Sequence, residues 1–228
     1  MRDDACPASL EGLGALDDRV VRNDWAWLCR YRAENARLDP AHPPRVVFMG
    51  DSITQGWIDA DPAFFAQGYA DRGISGQTTP QMLVRFWQDV IALRPSVVHI
   101  MGGTNDIAGN TGPTTPEAWQ NAVRAMVTLA KANHIAVIVG SIPPSNHFGW
   151  SPAQQPAPWI TRLNAWLKDY AKAEGLVYAD YHSALAGPQD ELPAGYGADG
   201  VHPNSAGYAV MRPIAEQAIK EAEKKALP

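Results

Sequence analysis

Ser52, Asp199 and His202 are the residues whose types and spacing best suit nucleophilic chemistry. A serine hydroxyl attacks poorly until a base takes its proton, and that base needs a third group to orient it. Ser52 stands in "GDSI" (50–53), and Asp199 precedes His202 by three positions in "DGVHP" (199–203). One short turn can therefore present carboxylate and imidazole together. Two further stretches offer donors for the negative charge such an attack creates. "RGISGQTT" (72–79) holds Gly76, whose amide no side chain shields, and "GGTND" (102–106) holds Asn105 with its side-chain amide. With the Ser52 amide these can face one developing oxyanion, each donor being worth about 10²–10³ in rate. Taken singly, each stretch reads equally well as turn or helix-cap chemistry. Their combination points to acyl transfer.

The elements that must position these residues follow from hydrophobic patterning. Apolar runs at 45–49, 69–74, 96–102, 135–141 and 176–181 are the expected strands. Between and after them, residues 79–94, 116–133, 158–174 and 206–225 carry apolar side chains at helical spacing. Strands without polar alternation, each followed by a helix, predict a parallel sheet covered on both faces. The expected fold is α/β: a three-layer α/β/α sandwich on a five-stranded parallel, flavodoxin-like sheet of order 2-1-3-4-5. In that order the site lies beyond the carboxyl ends of the strands, beside the first, where Ser52 falls. Before it, "DWAWLCRYRAENARL" (24–38) predicts a helix stopped by "DPAHPP", and Pro213 predicts a kink or a start in the last helix. The chain is read as one globular unit, with residues 1–44 an arm and helix packed on a domain spanning 45–228.

The four blocks, in this order and context, resemble those of the GDSL, or SGNH, serine hydrolases. The resemblance runs from about Arg45 to Ala218, and "RGISGQTTPQMLVRF" is most similar to one branch of the family. That branch contains the catalytic subunits of platelet-activating-factor acetylhydrolase and bacterial carbohydrate esterases. The resemblance implies a cofactor-free esterase of α/β/α fold. Ser52 and His202 would do the proton and acyl chemistry with Asp199 in support, and Ser52, Gly76 and Asn105 would form the oxyanion hole. The implied substrate is a small-molecule or carbohydrate ester with a short acyl group, acetyl foremost. A lysophospholipase- or thioesterase-type acylhydrolase is the alternative within the same chemistry.

Other polar residues receive lesser roles. Asp51 is expected to bond nearby backbone, and stands with Trp57, Asn146, His147, Phe148 and Trp150 as a substrate-pocket candidate. Asp106 should cap a helix or brace Asn105, His99 should be a satisfied core residue, and His42 and His134 should be solvated. Two rival classes remain open at this point. A metal-dependent phosphoesterase would draw on Asp180 and His182 with Asp51, Asn105, Asp106 and His202. A non-catalytic sugar- or lipid-binding module would use the same pocket without the chemistry.

Bulk properties narrow the partners. The formal net charge is −5 and no stretch clusters Lys and Arg with aromatics, so nucleic acid is excluded as an expected partner. No apolar segment reaches the roughly 20 residues of a membrane span. "MRDDACPASL" lacks the apolar core of a signal peptide, so either the protein is cytoplasmic or a signal has been removed from a secreted or periplasmic one. Cys6 and Cys29 have neither metal-ligand spacing nor a catalytic partner, and are expected to bridge the arm to its first helix. Closing that loop is worth about 3 kcal/mol, and it favours the exported alternative.

Overall fold

The computed structural model describes residues 6, 7 and 9–225. Five strands form one sheet: β1 (Val46–Gly50), β2 (Tyr69–Gly73), β3 (Val97–Met101), β4 (Ala136–Gly140) and β5 (Val177–Ala179). They pair in parallel in the order β2-β1-β3-β4-β5. Every residue of β1 and of β3 is buried, which is why these runs show no polar alternation. Gly50 pairs with Gly73 on one side and Met101 on the other, so three carboxyl ends finish level.

Alternate strand residues feed two cores. Val47, Met49, Val98, Ile100, Val137 and Val139 pack against α5 (Thr79–Asp89), α7 (Pro116–Ala132) and α8 (Pro156–Glu174). Val46, Phe48, Val97, Met101, Ile138 and Val177 pack against α3 (Ser52–Ala60), α4 (Pro62–Phe65), α9 (Tyr181–Leu185) and α10 (Ser205–Lys225). The result is the expected three-layer α/β/α arrangement. A short helix, α6 (Thr104–Ala108), begins just past β3.

The arm departs from its expected form. Instead of one helix over 24–38 it holds α1 (Asp18–Asn23) and α2 (Arg32–Asn35), separated by turns. The Asp24 carboxylate accepts the amides of Leu28 and Cys29 at 2.7 and 2.9 Å, a local alternative to helical bonding. Trp27 then takes a left-handed conformation, φ 51°, and Cys29 is bridged to Cys6 with Cα atoms 5.5 Å apart. The last helix, expected over 206–225, spans Ser205–Lys225. It starts well before Pro213 and runs through it, held by Tyr208, Met211, Ala215, Ala218, Ile219 and Ala222 against the sheet.

One buried acid in β2 yields a stability prediction. Asp71 accepts the Gly73 amide at 2.7 Å through Oδ1, while its Oδ2 has no partner. Burial raises its carboxyl from 3.8 to about 7, against the Gly73 hydrogen bond and the Arg72, Arg85 and Arg30 charges. A raised carboxyl pKa means the fold favours the protonated form. That contribution is complete below about 4 and is lost as pH rises through about 7. Asn at this position keeps the Gly73 bond and stays neutral. The melting temperature of Asp71→Asn minus that of wild type should therefore increase between about pH 5 and about pH 8. A pH-independent difference would contradict this.

Candidate active site

The site assembles from three strand ends and one late loop. After Gly50 the chain turns into α3, whose N-cap is Asp51 and whose first residue is Ser52. The turn admits only glycine at 50, because a Cβ there would lie 2.0 Å from Thr54 Oγ1 and 2.7 Å from the Met101 carbonyl. Asp51 accepts the Ile53 amide at 3.0 Å. Ser52 is left half-buried at the start of the helix, where the free amides and helix dipole favour negative charge.

Asp199 and His202 come from the loop between α9 and α10. Asp199 Oδ1 accepts the amides of Val201 and His202 at 3.0 and 2.8 Å, which folds the turn around its own carboxylate. Its Oδ2 lies 2.6 Å from His202 Nδ1, and His202 Nε2 lies 2.9 Å from Ser52 Oγ. A carboxylate can only accept, so Nδ1 carries the ring proton and Nε2 presents its lone pair to the serine. Partial burial works to raise the Asp199 carboxyl. Hydrogen bonds from the His202 ring and from the His202 and Val201 amides outweigh it, and hold the group below the usual carboxylate range.

Gly76 and Asn105 are joined by one polar chain whose direction can be read from its end. The Trp150 indole N–H can only donate, and it donates to Asn110 Oδ1 at 3.1 Å. Asn110 Nδ2 must then donate, to Asn105 Oδ1 at 2.9 Å and to the Gly76 carbonyl at 3.1 Å. Asn105 Nδ2 consequently points to the Gln77 carbonyl, 3.0 Å away, and among the described residues its other N–H has no acceptor. Gly76 has φ +81°, a conformation that costs other residues strain. Among the described residues neither the Ser52 nor the Gly76 amide donates to a protein acceptor. Asn110 is the residue sequence reading missed. It lies five positions past Asn105 in "GNTGP", a stretch that resembles any polar loop.

The pocket candidates divide. Trp150 is 45% exposed, with its ring 6.2 Å from the His202 ring. Phe148 is buried behind it, stacked at 5.0 Å and packed on Ala108 and Val201, so it supports the wall and is not part of its surface. His147 is exposed and Asn146 half-buried, and the His147 ring donates to Asn146 Oδ1 at 3.0 Å. His147 borders the loop that carries Asp199 and His202, since a Cβ on Gly200 would come within 2.5 Å of its Cε1.

Trp57 is a correction. It is fully buried between Phe64 and Tyr208, stacked at 5.2 and 5.4 Å, and belongs to the core under α3. Asp51 is corrected likewise: 2% exposed and turned onto its helix amide, it has no surface to offer a substrate. Burial pushes its carboxyl up to about 6.

Asp106 reaches across to α5, accepting the Thr79 amide at 3.2 and 3.0 Å and the Thr79 hydroxyl at 2.7 Å. His99 is fully buried, with Nε2 2.8 Å from the Tyr181 hydroxyl, and burial lowers it to about 3. In the Asp180–His182 pair weighed as metal ligands, His182 Nε2 is buried without a hydrogen-bond partner among the described residues. Asp180 caps α9 by accepting the Ser183 amide at 3.1 Å. Among the described residues no three His, Cys, Asp or Glu gather as a metal site would require.

Comparison with known proteins places the chain in a family. The sequence model of the GDSL-like Lipase/Acylhydrolase family matches residues 48–210. A solved structure from Bacteroides fragilis, described as an acylhydrolase, is 47% identical with a TM-score of 0.84, covering 88% of this chain and 99% of that one. A GDSL-like lipase from Bacteroides thetaiotaomicron is 43% identical with a TM-score of 0.82, covering 86% and 98%. Axe2, an acetylxylan esterase from Geobacillus stearothermophilus, shares the fold at 20% identity and a TM-score of 0.62, over 76% and 93%. No curated protein matches the chain.

Proposed function

Since the chain belongs to the GDSL-like lipase/acylhydrolase family and is a carboxylic ester hydrolase, we propose that it removes short acyl groups, acetyl foremost, from small-molecule or carbohydrate esters through an acyl-enzyme on Ser52. The observation that carries this reading is the continuous relay from Ser52 Oγ to His202 at 2.9 Å and from His202 to Asp199 at 2.6 Å.

Each step uses a group already placed. His202 Nε2 takes the hydroxyl proton as Ser52 Oγ adds to the ester carbonyl, and the Asp199 carboxylate stabilises the imidazolium that forms. The carbonyl oxygen, now an anion, takes hydrogen bonds from the Ser52 amide, the Gly76 amide and the second Asn105 N–H. His202 then gives its proton to the departing alcohol. Water, deprotonated by the same imidazole, releases the acid and restores the serine.

The exposed Trp150 ring beside His202 supports an alcohol with an apolar C–H face, such as a sugar ring, on the leaving-group side. One observation favours the longer-chain alternative. A cavity of about 470 Å³ runs from Gly76 and Ser75 along Leu10, Leu13, Leu16 and Trp27 of the arm. Initial rates on p-nitrophenyl esters of increasing chain length, then on acetylated xylo-oligosaccharides, decide between the two. The proposal requires kcat/KM to peak at the shortest chains. A maximum at long acyl chains would replace it with the lysophospholipase-type reading. The Cys6–Cys29 bridge supports residence in an oxidising compartment, secreted or periplasmic. Two alkylatable thiols in unreduced protein from its native compartment would return it to the cytoplasm.

Asp199→Asn tests the third member of the relay. The Asp199 side chain is 55% exposed, so solvent can partly replace its charge. A loss of kcat below the roughly 10⁴ of a buried orienting aspartate is expected. Kinetics equal to those of a variant lacking Ser52 would give Asp199 a larger role.

A further inference from the structure

The loop carrying Gly76 is held from behind by residues that touch no reacting atom. Gln77 is fully buried and makes three connections at once. Its Nε2 donates to the Ala26 carbonyl in the arm at 2.8 Å, its Oε1 accepts Arg85 Nε at 2.6 Å, and its backbone carbonyl accepts Asn105 Nδ2 at 3.0 Å. Arg85, also fully buried, donates through Nη2 to the Gly50 carbonyl at 2.9 Å, two residues before Ser52, and through Nη1 to Asp89 at 3.2 Å. The arm also grips the two elements that flank this loop: Gln81 Nε2 in α5 donates to the Trp25 carbonyl at 2.7 Å, and the Tyr31 hydroxyl donates to the carbonyl of Gly73, the last residue of β2. Leu16 lies over Gly76, 3.2 Å from where a Cβ would stand.

The arm lies outside the residues 48–210 that match the family, yet its carbonyls end on the oxyanion loop. We infer that Gln77 is a positioning residue, through which the N-terminal arm and Arg85 hold the Gly76 and Asn105 donors in fixed relation to Ser52. This rests on the serine-esterase reading given above. Oxyanion donors act by being preorganised, and a displacement of about 1 Å can cost about 10² in rate. Gln77 is placed to set that distance, since one side chain ties the arm to the Arg85–Gly50 contact while its own carbonyl orients Asn105.

Gln77→Met keeps size and neutrality but loses both side-chain bonds. Its kcat should fall about 10- to 100-fold with KM changed less than about threefold. Affinity for a trifluoromethyl ketone, which forms the tetrahedral oxyanion, should fall in parallel with kcat. Fluorophosphonate labelling of Ser52 should remain stoichiometric, which shows the triad intact. A merely structural role would instead lower the labelled fraction and leave kcat per labelled site unchanged. Tyr31→Phe, a milder change at another arm contact, should lower kcat about threefold on the same measure, and it decides the matter if Gln77→Met does not fold. Wild-type kcat per labelled site in the folded variants overturns the proposal. A wild-type protein that takes no label at Ser52 overturns the esterase reading itself, and the proposal with it.

Discussion

Ser52→Ala is expected to lower kcat by about 10⁶ while leaving the melting temperature within a degree or two of wild type. The substitution deletes the attacking oxygen and little else. The hydroxyl's hydrogen-bond partner is His202, and the helix it begins is capped by Asp51, which stays in place. His202→Ala should cost nearly as much, because without the imidazole the hydroxyl keeps its proton. The double variant should be no worse than either single one, since members of a relay act as a unit. Turnover in Ser52→Ala above a few per cent of wild type would remove the serine from the mechanism.

Asn105→Ala is the second large effect, and it separates catalysis from binding. In the bound ester the carbonyl oxygen carries only partial charge, so an amide donor gains little from it. Once Ser52 adds, the oxygen is an anion and the same hydrogen bond strengthens. Loss of that donor should reduce kcat by about 10²–10³, or roughly 3–4 kcal/mol, with KM nearly constant. The structure adds a stability term. Asn105 is buried and bonded to both Gln77 and Asn110, so its removal leaves the Gln77 carbonyl without this donor and the Asn110 amide without this acceptor. That should cost about 1–3 kcal/mol and several degrees of melting temperature. Kinetics taken well below the melting range isolate the catalytic part. Near-normal kcat in protein shown to be folded would leave Asn105 a structural residue.

The strands were legible because a parallel sheet buried on both faces needs uninterrupted apolar runs; β2 through β5 fall within their expected limits, and β1 runs one residue past its own, to Gly50. The candidate catalytic residues were legible because each sits next to a strand end or turn with its own signature. What was not legible depends on partners far away in the chain. Trp57 is an aromatic at helical spacing near the nucleophile, and only the stacking of Phe64 and Tyr208 makes it core. The helix expected over 24–38 yields to the Asp24 carboxylate and the Cys6 bridge, neither visible as periodicity. Gln77, Arg85 and Asn110 bond largely to backbone carbonyls and to each other's neighbours, so their types alone say nothing of the loop they hold.

The central claim is that Ser52 is the nucleophile, activated by His202. Reaction with a fluorophosphonate followed by peptide mapping tests it most directly. The account predicts one adduct per chain, on the peptide containing Ser52, absent in Ser52→Ala and formed far more slowly in His202→Ala. Undiminished ester hydrolysis with no adduct, or an adduct on any other residue, would contradict it.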